Sequence, residues 1–258
     1  MYGQDNSAVA DLSLKTFVRN RYFYGQLLDV RHFETEQSYF QQKIWLTNRL
    51  VSGYGVICGL DVQLCDDHKS IAVLAGTALD KAGREIVVPG RSTCVALPPS
   101  APQYDHPHQP EGCECECGTY VQACICFHEC ESDPAPVMAG DCDVERCASS
   151  AVRERYKIVL KEGKAPAPDP NCSLQDVISG GRINYDALAI YVTGTCPSLP
   201  DDLCIPLANV RLPEQGATAD PNDIDITIRP IVYTNDLLYE LILCLMGDGQ
   251  NRTRGGKY

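Results

Sequence analysis

The stretch Thr119–Glu129 reads TYVQACICFHE, and its alternation decides the fold class. Tyr120, Gln122, Cys124, Cys126 and His128 take one face of an extended chain. Val121, Ala123, Ile125 and Phe127 take the other. The second set is wholly apolar, which predicts a strand with one face on a core. Similar short patterns recur on both sides of it. Ser70–Leu74, Arg84–Val88, Thr93–Leu97, Tyr156–Leu160, Leu188–Val192 and Ile205–Val210 read as strands. Asp223–Ile228 alternates acid or hydroxyl with isoleucine, the pattern of a half-buried strand. Asp80-Lys81-Ala82-Gly83 reads as a hairpin turn. Gly53, Gly55 and Gly59 in GYGVICGLDVQLC suit tight turns or close backbone approach.

Two helices bracket the strands. Asp29 is a good N-cap for a helix reaching about Val51. Phe33, Phe40, Ile44, Trp45 and Val51 recur there at roughly helical spacing among polar residues. The preferred reading is a helix that covers a sheet; the alternative is an oligomer contact. Thr234 or Asn235 caps a final helix, with Leu237, Leu238, Leu241 and Leu245 as its buried stripe. The fold expected is therefore mainly β with flanking helices, an α+β chain. Its sheet is a sandwich or barrel-like, with an N-terminal amphipathic helix packed on it and a short C-terminal helix closing it. The division expected is an arm over 1–28, one β-rich domain over 29–246 and a flexible tail over 247–258. Within the domain lie the helix over 29–51 and cysteine-rich loops over 113–147. Tyr22-Phe23-Tyr24 in the arm is read first as core.

Composition narrows function. Lys and Arg number 22 against 34 Asp and Glu, a formal net charge of −12. That acidity argues against a sequence-independent grip on nucleic acid, and against an anionic membrane surface. Hydrophobic residues at 44% and charged residues at 22% are a globular balance, not a disordered one. The first residues lack a basic region followed by a long apolar run, so no secretory signal is expected. The apolar run Leu237–Met246 is broken by Glu240 and is too short to span a bilayer. The expectation is a chain synthesised in the cytoplasm, with no direct membrane insertion.

Of 15 cysteines, eight fall between Cys113 and Cys147. Cys113, Cys115, Cys117, Cys124, Cys126, His128, Cys130, Cys142 and Cys147 form the candidate site. Thiolate and imidazole ligands suit a structural zinc, which would staple loops lacking a core of their own. The pairs are C-x-C rather than C-x-x-C, so the spacing identifies no metal. Disulfides are the competing reading and come slightly ahead of zinc, with free thiols last. Cys58, Cys94 and Cys244 read as small buried hydrophobes. His106 and His108 read as solvated loop residues. The sequence has no nucleophile elbow, phosphate loop, paired-histidine metalloprotease motif or dinucleotide fingerprint. No enzyme is expected and no cofactor is certain.

The run Arg19–Leu28 is RNRYFYGQLL and the run Gly53–Leu60 is GYGVICGL. They resemble an uncharacterised bacterial family with an R-N-x-Y-F-x-G-x-L-L opening and a later G-x-G-V-x-C-G-L. The similarity continues through AGTALDKAGREIVVP, CFHE, RYKIVL, CIPLANV and RPIVYTNDLLYELI, most of the chain. Such proteins are associated with loci of phage-tail-like contractile injection systems. The resemblance implies a structural subunit, baseplate, fibre or cap associated, within a particle found outside the cell. Its partners would be other protein subunits, copies of this chain among them. Arg19, Tyr22, Phe23, Tyr24 and Trp45 are the expected assembly residues. A subunit of a self-assembling extracellular filament and a cysteine-rich metal- or ligand-binding module are the alternatives.

Overall fold

The computed structural model describes residues 14–99, 120–136, 147–168, 177–179, 182–213 and 217–254. The chain is mainly β, as the alternation implied, with three α-helices among the described residues. β1 (Gly55–Gly59), β4 (Gly76–Leu79) and β5 (Glu85–Val88) form one antiparallel sheet. β2 (Val62–Leu64), β3 (Ser70–Val73) and β6 (Val95–Ala96) form a second. The third has the order β12-β11-β7-β8, with β7 at Tyr120–Pro136, β8 at Cys147–Glu162, β11 at Ile205–Arg211 and β12 at Ile224–Asp225. β9 (Ile178–Ser179) and β10 (Arg182–Ile183) make a small separate ribbon.

The core lies where these sheets meet. Val121, Ala123 and Ile125 of β7 are buried, as the alternation predicts. They join Leu60, Ile71, Val73, Ile86, Ile205, Leu207 and Val210 in one cluster. Each fully buried aliphatic side chain there contributes about 1.5–3 kcal/mol of hydrophobic stabilisation. Register fixes the match across strands: Ile125 faces Ile205 and Val121 faces Val210. Buried Asn209 is satisfied by the segment that follows β8, its side-chain amide exchanging two bonds of 2.8 and 2.9 Å with the Ala165 backbone. Gly55 sits where a side chain cannot. An added Cβ would lie 2.5 Å from the Pro230 carbonyl oxygen, and its φ is +139°. That approach lets Val56 bond backbone to backbone with Pro230 and Val232, tying the C-terminal segment to β1.

Several boundaries differ from the sequence reading. Residues 130–136 and 147–150, expected in a loop, extend β7 and β8 into a long antiparallel ribbon. Cross-strand pairs hold it: Phe127 opposite Tyr156, and the Arg153 guanidinium on both Asp133 oxygens at 3.0 Å. Leu188–Val192 belongs not to a strand but to α2 (Tyr185–Val192), because Asn184 caps its start through the Asp186 and Ala187 amides. The Asp223–Ile228 alternation yields only the two-residue β12, preceded by a 3₁₀ turn that Asp220 caps. α1 (Val30–Thr47) starts where Asp29 predicts and continues as a π-helical turn over Asn48–Ser52. α3 spans Asn235–Arg254.

The turn between β4 and β5 is built on Asp80. Its side chain is fully buried. One carboxylate oxygen accepts from the Ala82 and Arg84 amides, both at 2.9 Å, and the other from Arg84 Nε at 2.7 Å. Arg84 then lies 4.5 Å from the centre of the Phe127 ring on β7. A buried carboxylate with three donors is stable only while all three persist. Asp80→Ala should therefore lower the unfolding free energy by about 3 kcal/mol. Urea unfolding of the two proteins, followed by circular dichroism, checks it; an unchanged midpoint would show that the turn holds itself.

Candidate assembly interface

α1 meets the body mainly at its C-terminal end. Asn48 Nδ2 donates to the Gly83 carbonyl at 2.9 Å and to Glu85 Oε1 at 2.8 Å. Gly83 has φ +88°, and a Cβ there would fall 2.0 Å from the Trp45 carbonyl oxygen. The helix backbone thus rests directly on the Asp80 turn. Gly83→Ala would strain the turn and push the helix end away. The expected result is a lower melting temperature with faster amide hydrogen exchange at residues 45–52, measured by mass spectrometry. Unchanged exchange there would mean that the latch lies elsewhere.

The N-terminal arm runs back along the same helix. Asn20 donates to the His32 carbonyl, and the Tyr22 hydroxyl bonds Glu36 Oε2. Phe17 meets Tyr39 edge to face at 6.5 Å. The arm therefore half-covers the face that carries His32, Thr35, Glu36 and Tyr39. The opposite face stays open: Phe33, Phe40 and Ile44 are 56%, 57% and 52% exposed. No residue of α1 is buried. This corrects the expectation that the helix covers a sheet with its apolar stripe.

The expected assembly residues divide accordingly. Arg19, Tyr22, Phe23 and Tyr24 are exposed on the arm, so the aromatic triplet is not core. Trp45 is half-buried at the latch. The other helices are equally bare. α2 has no buried residue and exposes Tyr185, Ile190, Tyr191 and Val192. In α3, Leu238 and Leu241 are exposed rather than buried, as are Tyr239 and Ile242. Leu237 is half-buried. The side chain of Leu245 lies outside the described residues.

The cysteine expectations resolve in part. Cys113, Cys115, Cys117 and Cys142 lie outside the described residues, as do His106 and His108. Cys126 is disulfide-bonded to Cys204, with Cα atoms 4.4 Å apart across β7 and the start of β11. Cys94, read as a buried hydrophobe, is bonded to Cys65. Cys58 and Cys244 are exposed thiols rather than buried ones. Cys124 is a buried thiol, and burial pushes its pKa up. Cys130 is a half-buried thiol and Cys147 an exposed one, while His128 is half-buried on β7. Among the described residues no three His, Cys, Asp or Glu side chains gather as a metal site. Cys65 and Cys204 escaped the sequence reading. The usable signal was register: once Ile125 faces Ile205, the next residues outward are Cys126 and Cys204.

The Cys126–Cys204 bond belongs to a wider clamp. Lys161 Nζ pairs with Asp202 at 2.5 Å, and Lys81 Nζ donates to the Asp202 carbonyl at 3.0 Å. Partial burial works against the Asp202 carboxylate, but the Lys161 ammonium and the Cys204 amide outweigh it and lower its pKa. The disulfide closes a sequence separation of 78 residues. Chain entropy assigns such a loop about 4 kcal/mol of stabilisation. Cys126→Ser combined with Cys204→Ser should lower stability by about that much in denaturant titration. Equal stability of the double variant and the parent would show that the bond contributes nothing.

No family model matches the chain, and no curated protein matches it. Among solved structures, a crystal structure of TssK matches with a TM-score of 0.41 and 13% identity. The match covers 93% of this chain and 50% of that one, so the chain spans about half the length of that structure. A likeness this distant does not define an activity.

Proposed function

We propose that the chain is a non-catalytic structural subunit of a phage-tail-like contractile injection apparatus, at its baseplate, fibre or cap. One observation carries the structural part of this reading. Among the described residues, a buried β core is accompanied by helices whose apolar side chains are turned to solvent. Exposed apolar faces of this kind mark sites of protein contact. Side chains such as Phe33, Phe40, Ile190, Leu238 and Ile242 stay soluble at low cost only when a partner covers them. The injection-apparatus part is supported by the RNRYFYGQLL and GYGVICGL runs and the resemblance they carry. The partners are other protein subunits, and the particle acts outside the cell that makes it.

The test is imaging of tagged chain recovered gently from its native host. Tail-like particles carrying the tag are the expected result. Small monodisperse particles would overturn the reading, and long fibres made of this chain alone would replace it with the filament alternative.

A further inference from the structure

The open face of α1 has a period. Val30, Phe33, Gln37, Phe40, Ile44 and Thr47 follow one another at alternating steps of three and four residues. That is the a/d repeat of a two-helix seam. All six are exposed. The arm, which covers the other face, leaves this seam clear. Beside the seam lies an open cleft of about 970 Å³, walled on the helix side by Gln37 and Phe40. Its far wall is Glu131 of β7 and the β8 stretch Ala148–Val152, where the small side chains of Ala148, Ser149, Ser150 and Ala151 permit close approach. A helix about 10 Å across fills roughly 420 Å³ per turn, so the cleft has room for about two turns of one. A helix is the occupant this shape and this repeat fit.

We propose that the occupant is α1 of a second copy of this chain, packed antiparallel. The inference deepens the assembly reading above and rests on it. Charge selects the orientation. In an antiparallel pair Phe33 packs on Ile44 of the second copy, Gln37 on its Phe40 and Val30 on its Thr47. Glu36 then flanks the seam opposite Lys43 of the second copy, and the symmetry makes this ion pair twice. The Tyr22 hydroxyl occupies only Oε2 of Glu36, which leaves Oε1 for the lysine. A parallel pair would set Glu36 against Gln41 and Lys43 against Asn48, forming neither ion pair. It would also stack Gln37 on Gln37 and Thr47 on Thr47 in the seam. Antiparallel helices oppose their dipoles as well.

Sedimentation velocity on the full chain at micromolar concentration tests the proposal. The parent should sediment as a dimer. Phe40→Asp should sediment as a monomer with unchanged circular dichroism, because the side chain it replaces is exposed in the single chain. Glu36→Lys and Lys43→Glu should each weaken the dimer about tenfold, by turning two attractions into two repulsions. The double variant E36K/K43E should restore it. Tyr22→Phe, which removes only the arm's bond to Glu36, should dimerise like the parent. A parent that stays monomeric, a Phe40→Asp variant that stays dimeric, or a double variant no tighter than the singles would overturn the proposal. The assembly reading fails separately: a chain that dimerises through α1 yet never enters tail-like particles keeps this pairing and loses that function.

Discussion

The buried carboxylate of Asp80 is the joint on which the rest of the molecule turns. Its three hydrogen bonds shape a five-residue turn and hold Arg84 in place. Two other parts depend on that shape. Arg84 packs on Phe127, which ties the β1-β4-β5 sheet to the long ribbon. Gly83 offers a surface without a side chain on which the end of α1 rests. A single acidic residue therefore couples a sheet, a ribbon and a helix. It does so because a carboxylate removed from water must collect donors, and the ones it collects, the Ala82 and Arg84 amides and Arg84 Nε, fix the turn against which the ribbon and the helix rest.

The molecule divides into a satisfied part and an unsatisfied part. The sheets bury their aliphatic faces against one another, and Asn209 has both the oxygen and the nitrogen of its amide bonded. The helices do the reverse. α1 turns its more polar face to the arm and its phenylalanines to solvent. α2 is short and apolar and has no buried residue. A chain selected to be stable alone would place these faces inward. The proposed role as a subunit gives the arrangement a physical reason, since the surface left bare in one copy is core in the assembly.

The disulfides follow the same division. Both staple the β part: Cys126–Cys204 joins β7 to the start of its neighbour β11, and Cys65–Cys94 joins the flanks of β2 and β6 on either side of β3. Cys58, Cys147, Cys196 and Cys244 remain exposed thiols. Cys124 shares a strand face with Cys126 yet is a buried thiol, since it stands opposite Pro206 and not opposite a cysteine. Adjacency in sequence made Cys124 and Cys126 look like a pair of ligands. Adjacency across strands gave them different fates.

The sequence by itself determined what depends on near neighbours along the chain. The strand Val121–Ile125 and its inner face, the cap at Asp29 and the turn at Asp80–Gly83 were legible because side-chain period and turn chemistry are local. The same local logic misread Leu188–Val192, where the cap at Asn184 outweighed a β-like run. Only the tertiary structure decided which face of α1 is covered. Periodicity divides a helix into faces, but the partner of each face is set by elements distant in the chain. Here the arm took one face and no described element took the other. Disulfide pairing was decided in the same way, because strand register brings Cys204 to Cys126 from 78 residues away. Such contacts depend on how the whole chain packs, which no window of residues contains.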